Sequence, residues 1–252
     1  MGTPAVPQTQ YRDEYVASFE QDYSMLKIGC VKETVIKGNV AVFLVAGSGG
    51  ETAVTRGSNG YIPYKSTTNT QNSCTLVEKH APFEMTGFDV FANQGDQKMI
   101  LMKSSQAVLH RDIDQAIIDQ LDTATVTTGS AATASLDLII KARTKLANAE
   151  VPITEEDNMF AAITAAFEGY LMQITEFSSA DYVEVKPWAG PAKRMRRWAG
   201  VNWMVHPNLT GVGTSSESCF MWHKNALGHA ANSAEMKVDA DYERKQQISW
   251  TN

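Results

Sequence analysis

The chain has 252 residues, 43% of them hydrophobic and 20% charged, and a net charge of −6. These proportions supply a core for one large domain or two small ones and exclude disorder throughout. The negative balance argues against a dedicated nucleic-acid binder, whose positive face dominates its charge, and leaves room only for a local basic patch.

Residues 1–10 carry two prolines and no hydrophobic period, and read as an extended arm. In residues 11–26, Tyr15, Phe19, Tyr23 and Leu26 are spaced like one helix face with charges between them. Such a segment needs a surface to lie on, either its own domain or a neighbouring copy.

From residue 30 to 86 the signal changes to strands broken by glycine. Residues 30–36 alternate, 39–47 form a β-branched apolar run, 47–60 a hairpin tip, 61–64 resume as strand and 73–85 return. A protrusion of this length has little apolar surface to bury within itself, so its order is expected to come from contact with other chains. Its glycines resemble a phosphate loop in composition only, because position 52 is Thr52 where GxGxxG needs glycine, and no Gly-Lys-Ser/Thr follows. The stretch reads as a flexible hairpin tip, with Gly47, Gly49, Gly50 and Arg56 as candidate subunit-contact residues.

The longest periodic segment is 104–124, the spine of the molecule. Leu109, Ile113, Ala116, Ile117, Leu121 and Ala124 recur at helical spacing, while Arg111, Asp112, Asp114, Gln115, Asp119 and Asp122 fall largely on the other faces. Ser104 or Ser105 is the expected N-cap, and the β-branched residues and glycine of 125–129 end the pattern. Asp119 and Asp122 stand near the end where the helix dipole disfavours negative charge, which a subunit contact explains.

A second helix is expected within 130–149, capped by Ser135 and stopped at Val151-Pro152. Glu155, Glu156 and Asp157 form an acidic turn, read as a solvated helix start. Residues 159–163 are a buried-strand candidate and 166–174 a helix, an alternation that implies an α+β domain with a mixed sheet. Residues 186–203 hold the one basic cluster: Lys186, Lys193, Arg194, Arg196 and Arg197, interleaved with Trp188, Trp198 and Trp203. Two readings stand side by side. The cluster grips phosphates or a subunit's acids, or it is the wet tip of a hairpin whose tryptophans pack inward. Residues 200–207 read as a strand, 218–231 as a strand running into a small helix, and 236–252 as an extended return piece.

Chemistry is poorly represented. Cys30, Cys74 and Cys219 are far apart and form no CxxC pair, so structural thiols are expected rather than a disulfide framework or a zinc site. The five histidines, His80, His110, His206, His223 and His229, complete no HExxH, and no Gly-x-Ser-x-Gly elbow is present. The three acids at 155–157 lack the further oxygen donors and the glycine of a calcium loop. No catalytic, cofactor or metal residue is assigned. No apolar run approaches the ~20 residues of a membrane span, and no positively charged start precedes an apolar stretch, so folding in the cytoplasm is expected.

In this order the segments VLHRDIDQAIIDQLDTA (108–124), EFSSADYV (176–183), RRWAGVNWMVHPNLTGVG (196–213) and CFMWHKNALGHA (219–230) resemble the major capsid proteins of tailed double-stranded DNA phages with the Hong Kong 97-type fold. The resemblance implies an α+β capsid fold: arm 1–29, extended β loop 30–75, peripheral domain with the spine 76–130, axial domain 131–235 and a return strand 236–252. Family members complete the peripheral sheet through a further strand and helix-like segment, for which only the final extended piece stands here. The implied function is a structural, non-enzymatic shell of hexamers and pentamers in the virion, assembled in the host cytoplasm around double-stranded DNA. Implied partners are copies of the chain, scaffolding, portal and decoration proteins, and non-specifically the packaged DNA, with no membrane and no cofactor. Subunit-interface candidates are Tyr15, Phe19, the loop residues named above, Asp119, Asp122, Lys193, Arg194, Arg196 and Arg197. An encapsulin-like nanocompartment shell, a soluble α+β enzyme with a scattered active site and a β-rich adhesion or tail protein are the competing readings.

Overall fold

The computed structural model describes residues 23–33, 38–48, 50–86, 97–155, 157–178, 193–231, 240–243 and 248–251. In chain order, a 3-10 turn Leu26–Gly29 leads into β1 (Val31–Glu33), then β2 (Val40–Gly47), β3 (Thr68–Thr75) and β4 (Phe83–Thr86). The helix α1 (Gln97–Leu121) is followed by α2 (Leu136–Asn148), β5 (Met159–Ile163), α3 (Ala165–Gln173) and α4 (Thr175–Ser178). Strands β6 (Arg196–Trp198), β7 (Val201–Val205), β8 (Phe220–His223), β9 (Gly228–Ala230), β10 (Ala240–Glu243) and β11 (Ile248–Thr251) complete the described elements.

The body is built on a mixed four-stranded sheet in the order β6-β7-β5-β8, with β5 parallel to β7 and antiparallel to β8. All five residues of β5 are buried because both faces of the sheet are covered. Side chains alternate across a strand, so Phe160 and Ala162 meet Ile117, Ile118 and Leu121 of α1, together with Leu26, Met204 and Trp222. On the other face Met159, Ala161 and Ile163 meet Ile139 of α2, Leu171 of α3, Phe177 of α4, Val201 and Trp203. The expected strand at 159–163 and the expected mixed sheet are both present. Helix α2 begins as read, with the Ser135 hydroxyl accepting from the Leu138 amide at 3.4 Å.

The spine departs from the sequence reading in three ways. It starts seven residues earlier, at Gln97, because Lys, Met and Leu are good helix formers and carry it through 98–103. Ser104 and Ser105 are therefore interior residues and cap nothing; Ser105 is buried and donates to the Ala81 carbonyl at 2.8 Å. The buried stripe is also rotated by about one position, to Ala107, Asp114, Ile117, Ile118 and Leu121, while Ala116 and Ala124 are exposed. Asp114, assigned to a wet face, is wholly buried. The helix closes at Leu121, where the Thr123 hydroxyl turns back onto the Gln120 carbonyl at 2.7 Å.

β2 and β3 pair antiparallel over their full length, from Val40 opposite Thr75 to Gly47 opposite Thr68. Residues 61–64, expected to resume the strand, are irregular: Pro63 has no N–H to give a ladder, and the Tyr61 carbonyl accepts from the Gly57 amide at 2.9 Å. Residues 73–85 are not one strand either; β3 stops at Thr75 and β4 begins after Pro82. The ribbon's root is docked, since β1 runs parallel to β9 and a Cβ on Gly228 would lie 2.7 Å from the Phe43 ring. Phe43 fills the place where a side chain would stand.

The acidic turn at 155–157 precedes a strand rather than starting a helix: the Asn158 amide side chain donates to Glu155 at 3.0 Å and Asp157 pairs with Arg197. The small helix expected within 218–231 is a single 3-10 turn, Lys224–Ala226, between β8 and β9. The extended end piece forms β10 and β11, and β11 pairs antiparallel with β4 in the order β10-β11-β4.

Candidate assembly surfaces

Tyr15, Phe19 and Gly49, with Lys186 and Trp188 of the basic cluster, lie outside the described residues. The remaining interface candidates fall into three groups.

The first is the ribbon. Gly47 ends β2, Gly50 turns with φ of +75°, and Arg56 is exposed on the connection to β3. On β2, alternation sends Ala41 and Phe43 toward the body, whereas Val40, Val42 and Leu44 face away, with Leu44 74% exposed. Beyond the strand Val54, Tyr61, Ile62 and Tyr64 continue the exposed apolar surface, Tyr61 at 79%. Half of the exposed large hydrophobic residues among the described ones, Val40, Val42, Leu44, Val45, Val54, Tyr61, Ile62 and Tyr64, belong to this ribbon and the connection between its strands. The charges between these residues are partly neutralised, since Lys65 pairs with Glu51.

The second is the hairpin β6–β7. Arg196 and Arg197 are adjacent on β6 and point to opposite faces. Arg196 pairs with Glu168 of α3, each side chain only 19% exposed, and Arg197 pairs with Asp157 at 2.7 Å in the open. Arg194 lies over the Tyr23 ring, 3.5 Å from its centroid, and Lys193 is exposed. Lys193, Arg194 and Arg196 share a cleft of about 400 Å³ with Tyr23, Met25, Glu168, Trp203 and Val205. Trp198 and Trp203 turn inward: Trp203 is buried and donates to the Trp198 carbonyl at 3.0 Å, and Trp198 meets Phe177 edge-on at 4.8 Å. Stacking of bases on Trp198 or Trp203 is thereby closed off, and Lys193 and Arg194 carry the positive surface.

The third is the end of the spine. Asp119 accepts from Gln115 one turn earlier at 2.8 Å, and Asp122 accepts from the Thr210 hydroxyl. Both acids therefore have partners within the chain that tolerate them near a helix C-terminus.

A cluster that the sequence reading passed over lies under the start of the described chain. Asp114 accepts from the Ser24 hydroxyl at 2.5 Å, the Met25 and Leu26 amides at 3.0 and 3.2 Å, and His206 Nε2 at 3.2 Å. Burial alone would raise the Asp114 carboxyl; the bonds from His206, Ser24, Met25 and Leu26 outweigh it and hold it below its ordinary value. Burial and the neighbouring Asp114 charge push the Cys30 thiol up to about 11. On the observed stripe Asp114 stands seven residues after Ala107 and four before Ile118, a placement the apolar pattern of the sequence did not mark.

Among the described residues the architecture is a two-sided sheet crossed by a long helix, with an exposed two-stranded ribbon. Solved structures share it. A chain of the Mycobacterium phage Che8 structure aligns with 99% of this chain and 91% of its own length, with a TM-score of 0.74 at 17% identity. The capsid of the cyanophage P-SCSP1u aligns with 100% of this chain and 89% of its own, with a TM-score of 0.68 at 14% identity. The native GTA particle capsid aligns with 98% and 90%, with a TM-score of 0.66 at 14% identity. The fold is the Hong Kong 97-type capsid fold. The sequence matches the phage capsid protein family over residues 3–251, and the chain belongs to that family. It is a structural shell protein of the phage virion. None of the curated proteins matches the sequence. Among the described residues no helix is long and apolar enough to cross a membrane.

Proposed function

We propose that the shell is assembled as hexamers and pentamers around double-stranded DNA, with the β2–β3 ribbon of each copy lying over a neighbouring copy. The observation that carries this reading is the exposed apolar side chains of the ribbon, Val42, Leu44, Tyr61, Ile62 and Tyr64, which the described residues leave uncovered. Many such contacts, each weak, sum over a closed shell to a stable one. Lys193 and Arg194 form a second contact, with acids of an adjoining copy, and Gly47, Gly50 and Arg56 belong to the ribbon contact. Asp119 and Asp122 border a third. Residues 1–29, 30–75, 76–130, 131–235 and 236–252 act as arm, extended loop, peripheral domain, axial domain and return. The protein performs no reaction. Its negative charge suits a container that holds its polyanionic cargo without binding it tightly. Assembly takes place in the host cytoplasm with scaffolding, portal and decoration proteins.

The test is a triple variant, Leu44→Ser, Tyr61→Ser, Tyr64→Ser. These side chains are exposed, so the reading expects unchanged circular dichroism and unfolding midpoint together with loss of closed shells. Normal shells from a folded triple variant would remove the ribbon contact.

A further inference from the structure

The buried cluster at Asp114 has no part in the surfaces just described, yet it is the most fully built polar site among the described residues. Four donors converge on two oxygens: Oδ1 takes Ser24 Oγ and the Leu26 amide, and Oδ2 takes the Met25 amide and His206 Nε2. His206 Nδ1 accepts from the Asn208 amide at 3.2 Å, so the ring donates through Nε2 and its orientation is fixed from both sides. Asp114 and His206 are both wholly or nearly wholly buried.

Filling that space with an apolar side chain would be an equally good way to stabilise a core. What a carboxylate adds is direction, since each oxygen accepts only along its lone pairs. Three of the four donors belong to the consecutive residues Ser24, Met25 and Leu26, just where residues 1–22 join the body. A second fastening follows three residues on, where the Gly29 carbonyl accepts from Trp222 Nε1 at 2.8 Å. Tyr23, immediately before the fastened run, carries Arg194 on its ring and lines the cationic cleft.

From this geometry we infer that Asp114 is a positioning residue for assembly: it fixes the place and direction of residues 24–26 on the body, and with them Tyr23 and the Arg194 it carries at the cleft proposed to meet an adjoining copy. The inference rests on the capsid reading and extends it. The spine is the rigid element, the arm root is the element to be aimed, and one carboxylate couples them across about ninety residues of sequence.

The experiment compares wild type, Asp114→Asn and Ser24→Ala by hydrogen exchange on unassembled subunits and by electron microscopy after assembly. Asp114→Asn keeps the shape but removes the charge, and it sets an amide donor among donors. The Met25 and Leu26 amides are expected to exchange about tenfold faster or more, with those of β5 and β7 unchanged. Closed shells are expected to give way to open or mis-sized ones. Ser24→Ala, which removes one donor and keeps the charge, is expected to show a smaller change in the same two amides. Equal acceleration in β5 and β7 would mark Asp114 as a general core residue and overturn the inference, as would wild-type shells from Asp114→Asn. Failure of wild type itself to form shells counts against the capsid reading, and with it against this extension, whereas failure confined to the variants supports it.

Discussion

Removing the Asp114 carboxylate takes the acceptor from four donors, of which the Leu26 amide and His206 are buried and Ser24 and Met25 partly so. Leaving a buried donor unsatisfied costs about 1–3 kcal/mol, so Asp114→Ala is expected to lose at least about that much stability in urea unfolding. The pH dependence has a definite sign. The folded carboxyl is held below its ordinary value, so its contribution is complete above about pH 4 and is lost as pH falls through the folded value. Unfolding midpoints measured in steps below pH 4 should therefore drop more steeply for wild type than for Asp114→Ala. Gly29 presents a different constraint. A Cβ there would lie 2.9 Å from the Trp222 ring and 3.2 Å from Phe160, both buried, so Gly29→Ala is expected to cost about 1–3 kcal/mol through overpacking. Thiol reactivity divides the same way: a maleimide should label exposed Cys74 on free subunits and leave Cys30, buried with its thiol pushed up to about 11, unmodified until the chain unfolds.

At the scale of elements, the two hairpins separate structure from contact. Reversing Arg196 attacks a half-buried pair with Glu168 and is expected to lower the unfolding midpoint, whereas reversing exposed Lys193 should leave stability within about 0.5 kcal/mol and weaken assembly. Thermal unfolding beside shell yield distinguishes the two. Reversing the whole basic cluster together would mix these effects, because its charges do different work. Much of this was readable from periodicity. The β5 strand, the Ser135 cap and the β6–β7 hairpin follow from local pattern, which their tertiary surroundings reinforce. What escaped has physical causes. An apolar count cannot place Asp114 on a buried stripe, because the donors that make its burial tolerable come from residues about ninety positions away. Nor does composition mark β3, Thr68–Thr75, whose polar side chains are exposed and whose strand geometry comes from pairing with β2. The start of α1 was hidden for a related reason: 97–103 has helix-forming residues without a clean stripe.

Taken whole, the molecule consists of a body that is closed and a ribbon that is not. The sheet β6-β7-β5-β8 is covered on both faces, so the body can keep one shape in different neighbourhoods. On the proposed reading the ribbon is the part whose surroundings other copies complete, a division suited to one chain that occupies unlike positions in a closed shell. The most direct test is negative-stain electron microscopy of the purified, concentrated protein, alone and co-expressed with the other head proteins of its phage. The account predicts capsomer rings or closed shells in at least the second case. A uniform population of single subunits in both would contradict it.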